Sequence, residues 1–284
     1  MATFTNQAFL TYNGETVNSN VVTGEVVGVL SAEKTAVSGT YTQGDTITYV
    51  VSIINTGTTA ITGLTVTDDL GAYTFGSQTL VPLTYVEGSV KYYINGVLEP
   101  APAVTTTSPL TVVGLSVPAG GDAILIYEAQ VNNYAPLGTQ ATIDNTATLN
   151  YPQLTTVVTA TESVIPEDGA QLSITKSVSP TTVNENGELV YTLVISNLGA
   201  TPVIATDDAI VSDTFEPILN NISVTYNGTA WTEGANYTYD SVTGLFTTNP
   251  GEIAVPAATY SQNPVTGEWE TIPGTTVIQI TGTV

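Results

Sequence analysis

The chain contains no cysteine, no histidine and no arginine, and its only basic side chains are Lys34, Lys91 and Lys176. Without Cys and His there can be no disulfide, no thiolate or imidazole metal site, and no Ser–His or Cys–His nucleophile pair. An enzyme is therefore not expected; a carboxylate pair for glycoside cleavage stays open in principle, but nothing in the sequence singles one out. Against three lysines stand 25 acidic residues, for a formal net charge of −22. Such a surface repels nucleic acid and anionic lipid, which need Lys and Arg to neutralise phosphate. Neither a nucleic-acid partner nor membrane insertion is expected, and no apolar run reaches the length of a membrane span. No acidic run is spaced like an EF-hand loop, so no metal or other cofactor is expected. No basic segment leading into an apolar one opens the chain, so no signal peptide is expected, and no sorting signal is visible at its end.

Thr, Val, Ser, Asn and Gly dominate what is present, a profile of extracellular or surface β-proteins. Short alternating runs recur, such as T-I-T-Y-V-V-S-I-I, A-I-L-I-Y-E-A-Q-V and T-V-I-Q-I-T-G-T-V. Asn13-Gly14, Asn95-Gly96 and Asn227-Gly228 suit hairpin turns with positive φ. No helical periodicity is evident. Closely spaced strands with frequent turns predict an all-β chain of antiparallel β-sandwiches.

The chain repeats itself. L-S-A-E-K-T at 30–35 matches L-S-I-T-K-S at 172–177, and Y-V-V-S-I-I-N-T-G at 49–57 matches Y-T-L-V-I-S-N-L-G at 191–199. L-T-V-T-D-D-L at 64–70 matches A-I-V-S-D-T-F at 209–215, and A-I-L-I-Y-E-A-Q-V at 123–131 matches V-I-Q-I-T-G-T-V at 277–284. The repeat divides the chain into an N-terminal strand (1–13), a linker (14–29), a first sandwich (30–151), a linker (152–171) and a second sandwich (172–284). The first copy ends in T-I-D-N-T-A-T-L-N-Y at 142–151, for which the second copy has no counterpart. That counterpart stands at the front of the chain: Thr3, Asn6, Ala8, Leu10 and Tyr12 match Thr142, Asn145, Ala147, Leu149 and Tyr151.

A sandwich short of its last strand exposes a sheet edge that templates strand addition. The N-terminal segment is the expected complement, with Phe4, Asn6, Ala8, Leu10 and Tyr12 on its inward face. Two placements are open: the strand folds back into the second sandwich of its own chain, or it enters that of a neighbour. The second is donor-strand complementation, a head-to-tail contact that propagates into a filament of the protein with itself.

Strand parity places three polar residues inside each core. Lys34, Asp68 and Asn145 point inward in the first sandwich; Lys176, Asp213 and the strand-borne Asn6 do so in the second. Lys91, in V-K-Y-Y-I, has no repeat partner and reads as surface. Buried charges must find one another. Two outcomes fit: a Lys–Asp ion pair with Asn satisfied nearby, or an isopeptide bond. In the second, burial favours a neutral amine and a protonated carboxyl, the amine attacks the Asn carboxamide, and ammonia leaves.

The strings L-S-I-T-K-S-V-S-P, G-D-T-I-T-Y-V-V-S-I-I-N-T-G, L-T-V-T-D-D-L, Y-V-E-G-S-V and I-D-N-T-A-T-L resemble the bacterial surface repeat called DUF11, which is similar to isopeptide-forming fimbrial and adhesin domains of Gram-positive bacteria. The resemblance covers 30–151 and 172–284. It implies two Ig-like sandwiches in tandem, as in extracellular stalks and fibres. It also implies a bond among Lys34, Asn145 and Asp68, and one among Lys176, Asn6 and Asp213 that forms between subunits. The function expected is a structural subunit of a bacterial cell- or spore-surface filament. The alternative is a monomeric surface adhesin that binds a glycan or host ligand, with Trp231, Trp269 and the Tyr cluster at 237–239 in the longer loops of the second sandwich stacking on sugar.

Overall fold

The structure is a computed structural model describing residues 2–26, 28–152 and 157–284. Met1 of the expected donor segment, and Val27 and residues 153–156 of the expected linkers, lie outside the described residues, as do the side chains of Ala2, Thr3, Glu25 and Val26. Two compact units result: residues 1–136 with 141–166, and residues 137–140 with 167–284.

The first unit opens with an arm of four strands, β1 (Ala2–Asn6), β2 (Phe9–Tyr12), β3 (Glu15–Asn18) and β4 (Val22–Val26). Asn13 and Gly14, at φ 50° and 82°, make the tight turn that folds β2 onto β3, and β1 pairs with β4 further out. Between the two ladders the Ser19 N–H donates to the Ala8 carbonyl and the Ala8 N–H to Ser19 Oγ, both at 2.9 Å. The arm is thus one long hairpin. Residues 14–29, expected as a linker, differ from that reading because they supply its returning strands. The hairpin buries little: Phe9 and Leu10 are each 67 % exposed.

The unit continues through β5 (Leu30–Ala36), β6 (Thr40–Tyr41), β7 (Thr46–Asn55), β8 (Ile61–Asp68), β9 (Tyr73–Phe75), β10 (Gln78–Leu80), β11 (Leu83–Tyr85), β12 (Lys91–Ile94) and β13 (Val97–Glu99). It closes with β14 (Ala103–Thr107), β15 (Leu110–Val117), β16 (Asp122–Val131), β17 (Ile143–Asn150) and β18 (Val158–Pro166). One sheet runs β13-β12-β16-β7-β5, with β11 also on β16; the facing sheet runs β14-β15-β8-β17-β18-β6. Alternation along β7 and β16 sends Tyr49, Val51, Ile53, Leu125 and Tyr127 into a dry core. The linker expected at 152–171 is in part this last long strand: β18 pairs with β17 from Ile143↔Val164 to Leu149↔Val158, and its end runs parallel to β6. Its period-2 face, Ala160 and Val164, is buried, which is why the segment joins the sheet.

The second unit contains β19 (Leu172–Ser179), β20 (Glu188–Asn197), β21 (Ser212–Thr214), β22 (Asn220–Tyr226), β23 (Thr229–Trp231), β24 (Tyr237–Asp240), β25 (Leu245–Thr248), β26 (Thr259–Gln262), β27 (Trp269–Ile272) and β28 (Gly274–Thr283). One sheet, β19-β20-β28-β22-β23, repeats β5-β7-β16-β12-β13 strand for strand. The facing layer is only β21-β25-β24, and β26 pairs with β27 separately. Among the described residues the helical content is a three-residue 3₁₀ turn at Ala205–Asp207.

Each unit carries a buried asparagine at the end of its second core strand. Asn55 donates to the carbonyls of Thr59 (2.9 Å) and Pro118 (3.0 Å) and accepts from the Gly57 N–H. Asn197 donates to Thr201 (2.8 Å) and Pro256 (3.1 Å) and accepts from Gly199 and Gln171. These amides tie together two loops at the end of each sandwich, beside backbone bonds such as Gly120 N–H to Gly57 and the Val203–Val255 bridge. Asn55→Ala strands buried backbone groups, each costing about 1–3 kcal/mol. We expect it to destabilise the first unit by about 3 kcal/mol in urea unfolding followed by tyrosine circular dichroism. Tryptophan fluorescence, which reads only the second unit through Trp231 and Trp269, should keep its midpoint.

Candidate functional site

In the first unit β5 contributes Lys34, β8 Asp68, β16 Tyr127 and β17 Asn145, and all four are buried. Lys34 Nζ meets Asp68 Oδ2 at 2.6 Å, and both side chains are essentially inaccessible, at 0 % and 1 % exposure. The same oxygen accepts the Tyr127 hydroxyl at 2.7 Å, while Asp68 Oδ1 accepts the Leu70 N–H at 3.1 Å. Asn145 Nδ2 donates to the Tyr127 oxygen at 3.0 Å. The Tyr49 hydroxyl lies near enough to Asn145 to interact, yet neither it nor Asn145 Oδ1 meets hydrogen-bond geometry. Tyr49 and Tyr127 stack at 5.6 Å, and Lys34 Nζ sits 4.8 Å from the Tyr49 ring centre.

Burial dominates the electrostatics. It lowers the Lys34 pKa against the opposing pull of Asp68, and raises that of Asp68 against Lys34, Tyr127 and the Leu70 N–H. It also pushes the Tyr127 phenol up. The ion pair is thereby driven toward its neutral form, an amine beside a carboxylic acid. Lys34, Asp68 and Asn145, read from strand parity, are brought together. Tyr127 was missed: parity places it inward, but only the facing of the two sheets puts its hydroxyl between Asp68 and Asn145.

In the second unit Lys176 and Asp213 also meet, at 2.5 Å, but their side chains remain 40 % and 17 % exposed. The difference is one of missing neighbours. Asp68 is paired with Leu110 of β15 on one side and Ala147 of β17 on the other. Asp213 is paired with Phe246 of β25 on one side, and among the described residues no strand pairs with the opposite edge of β21. A groove of about 370 Å³ runs there, lined by Leu172, Ile174, Ile195, Val211, Ile253 and Val255. Leu172 is 50 % exposed where its counterpart Leu30 is 7 % exposed. Asn6 lies in the arm, exposed and opposite Val22. Phe4 is opposite Gly24, its ring so close that a Cβ there would fall within 2.4 Å. Ala8, Leu10 and Tyr12 are exposed. Lys91 is exposed, on β12.

The aromatic residues expected in the loops of the second sandwich stand on strands instead. Trp231, on β23, stacks on Tyr226 at 4.7 Å. Tyr237, on β24, is core, and the Tyr239 hydroxyl donates to the Leu219 carbonyl. Trp269 is half-buried on β27.

No family model and no curated protein matches the chain. Among solved structures it is similar to the pilus backbone RrgB of Streptococcus pneumoniae, at 15 % identity over 86 % of this chain and 55 % of that one, with a TM-score of 0.35. It is similar to BcpA, the major pilin subunit of Bacillus cereus, at 13 % identity over 96 % and 73 %, with a TM-score of 0.36. It is also similar to the collagen-binding domain of a Staphylococcus aureus adhesin, at 11 % identity over 49 % and 99 %, with a TM-score of 0.31. The chain spans about half the length of the pneumococcal backbone. Likeness at this level leaves the function to the geometry of the chain itself.

The unequal burial of the two centres has a measurable consequence. Removing Asp68 leaves a buried lysine without a partner, whereas Lys176 can turn to water. Asp68→Ala should cost the first unit about 3–5 kcal/mol. Asp213→Ala should cost the second less than about 1 kcal/mol. Urea melts of the two units, read as above, check both.

Proposed function

We propose that the protein is a structural subunit of an extracellular bacterial surface filament, assembled head-to-tail by donor-strand complementation. One observation carries this reading: the strand that closes the first sandwich, β17, is repeated in sequence in the arm, and the second sandwich is open where β17 would lie. The register follows from the first unit. Ala147 pairs with Asp68 and Leu149 with Val66, so in the filament Ala8 pairs with the neighbour's Asp213 and Leu10 with its Val211. Phe4 takes the position of Ile143, and Asn6 that of Asn145, beside the lysine.

Such a strand buries Leu172, Ile174 and Lys176 of the acceptor, and covers the edge of β21. The arm need not give up its own ladder: β17 pairs with β8 on one edge and keeps β18 on the other, so β1 and β2 can dock on β21 with β4 and β3 still beside them. The hairpin hides few apolar atoms, so docking it on the groove gains burial and adds strand hydrogen bonds along its free edge. Once covered, the second centre matches the first in its lysine, acid and asparagine. An isopeptide bond then forms within the first sandwich between Lys34 and Asn145, and between subunits from Lys176 to Asn6. The reaction is a self-modification rather than turnover of a substrate. A filament of this kind belongs on the cell or spore surface.

Purified protein should form filaments under electron microscopy, and a chain lacking residues 1–12 should not. Thr5 and Thr23 are cross-strand partners, so a Thr5→Cys/Thr23→Cys disulfide should lock the hairpin and still allow growth, because the strand enters with its partner. The chain has no cysteine of its own to interfere. Filaments from the truncated chain would refute strand donation. Digests of filaments should contain a peptide joining Asn6 to Lys176, lighter by one ammonia; linear peptides alone there would leave the assembly non-covalent.

A further inference from the structure

Tyr127 is fully buried, and its hydroxyl stands between the acid and the amide of the first centre, 2.7 Å from Asp68 Oδ2 and 3.0 Å from Asn145 Nδ2. Lys34 Nζ meets the same Asp68 oxygen at 2.6 Å. An unbroken path of hydrogen bonds therefore runs from the attacking nitrogen, through the carboxyl and the phenol, to the nitrogen that must leave. From this geometry we propose that Tyr127 is a catalytic residue of isopeptide formation, holding the Asn145 amide in place and relaying a proton from Asp68 to its departing nitrogen. The inference rests on the isopeptide reading above and deepens it.

The step balances without any co-reactant. The Lys34–Asp68 ion pair first shares its proton to give an amine and a carboxylic acid. The Nζ lone pair forms the bond to Asn145 Cγ, and the carbonyl π pair moves onto Oδ1. Asp68 takes the surplus proton from Nζ and gives its acid proton to the Tyr127 oxygen. The phenol passes its own proton to Nδ2. The Oδ1 pair restores the carbonyl, the Cγ–Nδ2 bond breaks, and ammonia leaves with that electron pair. Asp68 and Tyr127 end as the acid and phenol they began as.

The two units differ at this position. Tyr127 pairs with Tyr49 across β16 and β7, and Ile280 pairs with Tyr191 across β28 and β20. Tyr49 and Tyr191 occupy equivalent places, so Ile280 stands where the relay would be. The second centre has Asp213 alone to move protons. Besides Asp213 its lysine meets two rings, with Nζ 4.7 Å from the Tyr191 centroid and 5.1 Å from that of Phe215.

The test follows ammonia loss from freshly synthesised full-length chain by mass spectrometry, reading the peptide that joins residues 34 and 145, with Asp68→Asn as the blank. Tyr127→Phe keeps the ring that stacks on Tyr49 and removes only the hydroxyl. Its bond should form about a hundredfold more slowly, the scale of one positioned acid–base group. The wild-type rate should also fall more in heavy water than that of the variant, a readout that a purely structural hydroxyl would not move. Replacing Tyr127 with 3-fluorotyrosine preserves size and fold but makes the phenol more acidic, and its rate should change measurably. A wild-type rate in Tyr127→Phe, or an unchanged rate with fluorotyrosine, overturns the relay while leaving the bond in place. Wild-type chain that never loses ammonia at residues 34 and 145 overturns the relay and the isopeptide reading together.

Discussion

A lysine is buried in this fold only where the strand carrying its acid partner is paired along both edges. β8 satisfies that condition, flanked by β15 and β17, and Lys34 is sealed from water. β21 satisfies it on one edge only, and Lys176 keeps two-fifths of its side chain exposed although the ion pair is just as short. Strand coverage thus separates a dry centre from a partly exposed one, and in the dry one desolvation pushes the Lys34 amine and the Asp68 carboxyl toward their neutral forms. Leu172 and Ile174 are exposed beside the groove, whereas in the first unit the matching strand β5 is packed against β18.

The arm answers the same constraint in a different way. A strand with free edges is a hazard, and this one is held in a hairpin whose turn, Asn13-Gly14, has the positive φ angles such turns require. The pairing satisfies backbone groups but leaves Phe9, Leu10 and Tyr12 exposed. It is thus a ladder without a core beneath it. In the proposed filament the hairpin's backbone bonds are kept and new ones form along its free edge, as β17 pairs with β18 and β8 together, while the groove takes up the exposed apolar surface. The pairing also leaves only the outer edge of β1 and β2 open to another strand.

The two lysine centres divide the labour in the proposed fibre. The first forms within one chain and resists unravelling of a subunit; the second joins subunits. Tyr127 belongs only to the first, and Ile280 replaces it in the second, so the two reactions need not run at the same rate. Few charges are spent on these centres. Nearly all the acidic residues of a chain with net charge −22 lie elsewhere, where they favour solubility of single subunits.

Much of this was legible in the sequence, and for a definite reason. Alternation with period two assigns each strand residue to a face with no knowledge of its partners, so Lys34, Asp68 and Asn145 could be placed inside one core; it put Lys176 and Asp213 inside another, where the structure leaves them partly exposed. The offset repeat likewise linked Asn6 to Asn145 before any coordinates. What parity cannot say is which strand lies beside which. Val158–Pro166 was expected within a linker, and its role as the strand beyond β17 depends on β17 presenting a free edge. The Asn13-Gly14 turn was visible, but not that residues 15–26 would take up the arm's hydrogen bonds. Tyr127 was not singled out, because only the packing of one sheet on the other brings its hydroxyl between Asp68 and Asn145. The sequence by itself determined which side chains face the core, because that is local geometry. The tertiary structure decided which of them touch and which edges stay open, because those depend on strands distant in the chain.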